Sequence, residues 1–275
     1  MTATASMPAA HDTPAPSLSG RPLVHGLHAI ARITARAESR TTGLPVLDGD
    51  GPFDLRRLRS DGGQARVCVL NAMSTPHNGD RLRIEVTVEP GADLHVTSAT
   101  ASIALPGPAP GYATYDVTLR VDDNARLHWL PEPTISAARS DLRQLIRVEL
   151  APTARILLGE QQILGRAGEP PGRLSSRLIV RRAGETLLDQ HTAYGPGTPA
   201  WDGPAVLGGN RAIGQLLHIG PDLDRNPPTR ILRDLPPGAH GVITPIADHA
   251  TLLTALAPDT TGLTPSFTAA LPARN

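Results

Sequence analysis

"VTVEPGADLHV" (residues 86–96) reads as a strand, a polar turn, an alanine, a polar residue, an apolar residue and a second strand. The phrase returns as "LRVDDNARLHWL" (119–130) and as "VELAPTARILLGE" (148–160), with Ala92, Ala125 and Ala154 at matching places, 33 and 29 residues apart. Between the repeats, "ATYDVTLRV" (113–121) puts Tyr115, Val117, Leu119 and Val121 on one face of a strand, because successive side chains alternate sides. Period-two units recurring at about 30 residues stack as β layers, each unit covering the open edge of the one before. The fold expected is mostly β: a two-layered, β-helix-like stack of antiparallel strands with one or two short helices. A simple up-and-down sandwich gives a similar pattern, and the sequence alone does not separate the two.

Working outward, "STPHNGDRLRIEVTV" (74–88) supplies an earlier strand, with Leu82, Ile84, Val86 and Val88 alternating with Arg81, Arg83, Glu85 and Thr87. Asn78-Gly79 is a turn pair, since both residues tolerate positive φ. Asp80 shares parity with Leu82 and Ile84, so its carboxylate is expected to face inward. An inward carboxylate is costly unless it is paired, hydrated or bonded to backbone N–H groups. Two readings follow, a turn cap or a polar interior, and the residues leave both open. Asparagine at this position is expected to keep much of the capping geometry while removing the charge.

Downstream, "RLIVRRAGETLLDQH" (177–191) is expected to turn as a hairpin at Arg182-Ala183-Gly184-Glu185, and "AVLGGNRAIGQLLHI" (205–219) to carry another strand pair. The stretches 195–204 and 220–228 hold too much Pro and Gly for regular structure. "IADHATLLTALAP" (246–258) is the best helix candidate, with Asp248 as cap, Leu252, Leu253 and Leu256 on one face, and Pro258 as stop. No boundary splits the chain, so residues 23–275 are taken as one β domain behind a disordered leader, 1–22, rich in Ala, Thr, Pro and Ser.

Composition removes several function classes. Acidic and basic residues balance at 26 each, so no global field advertises nucleic acid or an anionic membrane. Every cation is arginine, which excludes a Schiff-base or P-loop lysine. Cys68 is the lone cysteine, excluding an internal disulfide or a thiolate zinc site, and is expected to be a buried structural thiol. Aromatics at 3% are too few for base-stacking platforms. No apolar run reaches membrane-spanning length and the N-terminus lacks a secretory pattern, which together suggest a cytoplasmic protein.

Ten histidines invite a metal hypothesis, but none makes a His-x-x-x-His or Glu-x-x-His pair on a helix. His95 and His128 hold equivalent repeat positions, opposite in parity to their apolar neighbours, and read as structural. Nucleophile motifs of the Gly-x-Ser-x-Gly type are absent.

The order of motifs, however, resembles one family. A Gly79-Asp80 strand leads to Trp129-Leu130-Pro131-Glu132-Pro133-Thr134-Ile135, then to Leu164-Gly165-Arg166…Gly168-Glu169. This is similar to the UreD (UreH) urease accessory proteins, in a divergent actinobacterial form, from about Gly26 to Ile219 and most clearly over 67–172. The resemblance implies a two-layered β fold without catalysis or a permanently bound cofactor. It implies a scaffold between apo-urease and UreF-like and UreG-like partners, the latter a GTPase that delivers nickel, with transient Ni2+ transit through a polar passage. Asp80, Glu160 and Glu132 are then the passage candidates, while Gly79, Trp129, Pro131, Gly165 and Arg166 form the structural motif. The family's usual glycine-rich run before Gly-Asp is replaced here by Ser74-Thr75-Pro76-His77-Asn78. The competing expectation is a stand-alone β-scaffold hydrolase using the same three carboxylates.

Overall fold

The computed structural model describes residues 26–60, 62–108 and 111–271; the leader expected over 1–22 lies outside them. The chain begins with a hairpin, β1 (His28–Glu38) and β2 (Thr41–Gly49), followed by a second, β3 (Phe53–Leu58) and β4 (Ala65–Asn71). It then shuttles between two sheets: β5 (Arg81–Val88) and β6 (Asp93–Ser98), the short β7 (Ser102–Ala104), β8 (Ala113–Val121) and β9 (Arg126–Leu130), the short β10 (Thr134–Ser136), then β11 (Asp141–Leu150) and β12 (Arg155–Leu164). The hairpin β13 (Arg173–Arg182) and β14 (Glu185–Tyr194) precedes β15 (Ala212–Ile219), β16 (Arg230–Ile231), β17 (His240–Ala247), β18 (Ala250–Ala257) and helix α1 (Thr260–Ala270).

One sheet runs β14-β13-β11-β8-β5-β1-β2 and the other β16-β17-β18-β15-β12-β9-β6-β4-β3. The result is a β-solenoid of about four turns. Its repeat is the alanine phrase. Ala92, Ala125 and Ala154 are at most 1% exposed, and each closes a tight turn by donating its N–H to the carbonyl three residues back. Only a small side chain fits where the chain folds from one sheet into the other. Adjacent turns are tied by equivalent bonds, Arg126 N–H to Ala92 O and Arg155 N–H to Ala125 O, at 2.8 and 2.9 Å.

The expected antiparallel stack is corrected. Strands β1, β5, β8, β11 and β13 pair in parallel, as do β4, β6, β9 and β12. Each repeat crosses to the other sheet before adding its next strand, so equivalent strands arrive in the same direction. Antiparallel pairing is confined to the flanks, including the hairpin at Ala183-Gly184, whose φ values of 53° and 84° suit its two-residue turn.

The helix expected over 246–258 is also overturned. Those residues end β17, turn at His249 (φ 57°) and run through β18. Strand β18 is central and covered on both faces, inside by the core and outside by α1, so its apolar residues do not alternate cleanly and mimic a helical stripe. The helix starts instead after Asp259, whose carboxylate accepts the Gly262 N–H at 2.9 Å. Of the strand pair expected over 205–219 only β15 forms; turns fill 201–209, with positive φ at Gly208 and Gly209. Cys68 is half-buried on the outer side of β4, not in the core. Among the described residues no helix is long and apolar enough to cross a membrane.

Candidate functional site

The space between the sheets is built in levels. One level is apolar throughout: Ile84, Val117, Ile146 and Leu178 lie in register on one sheet, and Val96, Trp129, Leu158 and Leu217 on the other. The next level breaks the rule. Its inward positions are Tyr115, Gln144 and Ser176 in register on one side, with Glu160 and Gln215 on the other. Between them lies a cavity with about 50 Å3 open to the centres of water molecules, enough for a few waters. Ile84, Val117, Ile146 and Trp129 form its apolar lining, and Asn71, Ser98, Glu132, Gln144 and Glu160 its polar one.

Glu160 is 8% exposed, and Ser176 Oγ and Gln162 Nε2 both donate to its Oε1, at 2.5 and 2.6 Å. Burial pushes its carboxyl above the usual range, and the two hydrogen bonds oppose that only in part. No ion pair holds it among the described residues, so the carboxylate depends on neutral donors and the cavity. The acid form therefore favours the folded state: the contribution is full below the ordinary glutamate range and is lost as pH rises through the raised pKa. Glu160→Gln retains an acceptor for Ser176 and abolishes the titration. Its melting temperature is expected to match the parent at about pH 4 and to exceed it increasingly toward neutrality; a constant gap across that range would show that the carboxyl is not strained by burial.

Glu132 stands exposed at the rim of the same cavity, its N–H donating to Ser98 Oγ at 2.8 Å. Pro131 lines the wall beside it, and Trp129, 3% exposed, props the apolar level beneath. Asp80 lies elsewhere. It is 5% exposed, as its parity requires, but its Oδ1 accepts Leu27 N–H and its Oδ2 accepts His77 N–H, both at 2.8 Å. Gly79, at φ 102°, makes the turn that aims it there. Asp80 thus knots 26–27 to 77–80 and is not among the residues lining the cavity. The three carboxylates do not converge: Glu132 and Glu160 share the cavity, and Asp80 stands apart.

Gly165 (φ 84°) opens a second knot, in which Arg166 grips Glu169 through Nε and Nη2 at 2.8 and 2.9 Å. That side-chain bond, joined by the Arg166 and Ala138 N–H groups, holds the Glu169 carboxyl at about 2. His95 and His128 are register partners with ring centroids 5.6 Å apart on the outer face, and burial lowers the His128 pKa. Among the described residues no group of three or more His, Cys, Asp or Glu is arranged to hold a metal.

Sequence reasoning missed Gln144, Gln162 and Ser176. The signal was present: each is a polar residue at inward parity in an otherwise apolar series, as in Leu142-Gln144-Ile146 and Leu174-Ser176-Leu178.

A parallel two-sheeted solenoid with an acid-bearing cavity between its sheets defines a β scaffold with a polar interior. The UreD urease accessory protein model matches residues 28–273, and the chain belongs to that family. It is 54% identical over 252 residues to urease accessory protein UreD 2 of Saccharopolyspora erythraea, covering 91% of this chain and 88% of that one. It is 52% identical over 237 residues to urease accessory protein UreD of Streptomyces avermitilis, covering 85% and 92%. With UreD 3 of Streptomyces griseus subsp. griseus the identity is 54% over 239 residues, covering 85% and 91%. The role that membership carries is in urease maturation, and the family is one of accessory proteins rather than enzymes.

Proposed function

We propose that this chain is the scaffold subunit through which nickel reaches apo-urease, and that the cavity between its sheets is a waypoint for the ion. The observation that carries this reading is that Glu132 at the rim and the buried Glu160, which has no ion-pair partner among the described residues, line one cavity. Nickel accepts carboxylate ligands, and transit needs oxygen donors weak enough to release it. Asp80, held by two main-chain N–H groups, serves by fixing the turn that leads into β5. The chain has no lysine and therefore no P-loop, so GTP hydrolysis belongs to a UreG-like partner, with a UreF-like protein completing a cytoplasmic assembly.

The test is deletion of the gene in its host, complemented with the parent chain or with Glu160→Gln, reading nickel per urease active site. Deletion is expected to leave urease with under a tenth of its nickel, and Glu160→Gln to assemble with its partners yet load roughly tenfold less. Full nickel content in the deletion strain would sink the proposal.

A further inference from the structure

Loop 220–228 lies on the outer side of the second sheet, where Asp222, Leu223 and Pro228 wall a hollow of about 460 Å3. Its floor is apolar, with Leu216 of β15 and Leu253 of β18 in register, both nearly closed to water. Contacts at both ends tie the loop down. Arg225 Nε meets Asp248 Oδ2 at 2.8 Å, and Leu223 O lies 2.6 Å from His249 Nδ1, a bond that a neutral or a charged imidazole can donate. At the other end Asp222 stands 3.5 Å from Arg155 Nε and 3.6 Å from His218 Nε2.

His218 is the point that acid changes. Its side chain is 17% exposed, and its carboxylate neighbour, Asp222, is already shared with Arg155. The strands beside it offer no second acid. Thr251 is its register partner on β18 and Leu157 on β12, and beyond Leu157 stand His128 and Arg126 of β9. Arg230 lines the same hollow. Burial therefore holds the His218 pKa below the usual histidine range, and Asp222 opposes it only in part. A neutral imidazole is covered here at little cost. An imidazolium loses hydration that a shared carboxylate does not replace.

We infer that loop 220–228 is an acid-released strap: it lies closed beside the hollow while His218 is neutral, and protonation of His218 frees its Asp222 end. The sign follows from proton binding. With the strap open His218 is hydrated and takes up a proton more readily than with the strap closed. Closure is thus complete above the ordinary histidine range and is lost as pH falls through the lowered value. Release uncovers the apolar floor at Leu216 and Leu253. The strap sits on the outer face, away from the inter-sheet cavity, and is independent of the transit reading above.

The experiment is amide exchange of the full chain at about pH 7.5 and about pH 5.5, on either side of the ordinary histidine range, corrected for intrinsic rates. The reporter is the Leu223 N–H, which donates to Gly220 O within the loop. Its protection is expected to fall about tenfold at the lower pH, while the β11–β13 amides keep theirs. His218→Gln keeps a polar side chain that does not titrate, and should hold Leu223 protection within about twofold across the range. His249→Gln should lower protection at both pH values and leave the pH dependence in place. Leu223 protection that ignores pH, or that still falls in His218→Gln, overturns the strap. So does a pH dependence that vanishes in His249→Gln, which would put the switch at the other end. An equal loss at β11–β13 would make the loosening global and overturn it as well.

Discussion

Trp129→Ala is expected to lower the unfolding free energy by about 3–5 kcal/mol, the range for truncating a buried aromatic side chain to alanine. The indole is 3% exposed and sits on β9 between Val96 of β6 and Leu158 of β12. It is the largest side chain in an apolar level otherwise made of Val, Ile and Leu, and its upper edge lines the cavity. Removing it joins a new void to the one above. Water entering from the polar level would meet few partners among aliphatic neighbours, so the gap stays costly however it is filled. Domains hold only about 5–15 kcal/mol in total, so this one change takes a large share and should cut soluble yield as well. Urea unfolding of parent and variant measures the difference. A loss below about 1 kcal/mol would show that the indole is not the prop between the sheets, since truncating a well-packed core aromatic costs more than that.

What the sequence disclosed and what it hid divide along physical lines. Ala92, Ala125 and Ala154 were legible because a tight turn between packed layers admits only a small side chain, and that demand repeats with every coil. Strand direction was not, since parallel and antiparallel strands alternate identically; the sense is set by where the chain goes next. Strand β18 was hidden because a strand covered on both faces loses the alternation that identifies it. The inward set of Glu160 could be read from its parity with Leu158, but its partners lie on β13 and along β12, and no spacing rule brings Ser176 to it. Gln144 was readable as a polar residue in an apolar register. That it faces Glu160 across a gap is a fact of the two sheets together.

Asp80→Ala is expected to cost about 3 kcal/mol, because it strips two main-chain N–H groups, Leu27 and His77, of a charged acceptor at once. The site is nearly closed to water, Asp80 being 5% exposed, so replacement hydrogen bonds are not readily supplied. Asparagine does not rescue it as the sequence suggests. Both carboxylate oxygens accept from N–H donors, and an amide offers only one oxygen; its NH2 must then point at a second donor in either orientation. Asp80→Asn should therefore lose about 1–3 kcal/mol, one unmatched buried donor's worth, falling between alanine and the parent. The loss should appear locally first. The knot fixes 26–27 against 77–80, where Gly26 lies so close to Gly79 O that a Cβ on it would stand 2.0 Å away. Amide exchange at Leu27 and His77 is expected to accelerate in both variants, while the β11–β13 amides keep the protection of the parent core. This ordering separates a stitch from a nickel ligand. A stitch is damaged by Asn and Ala in proportion to lost acceptors, and nickel loading falls only as far as folded protein does. If Asp80→Asn kept full stability and full protection at Leu27 while nickel loading fell tenfold, the carboxylate would act on the ion, and the turn would be incidental.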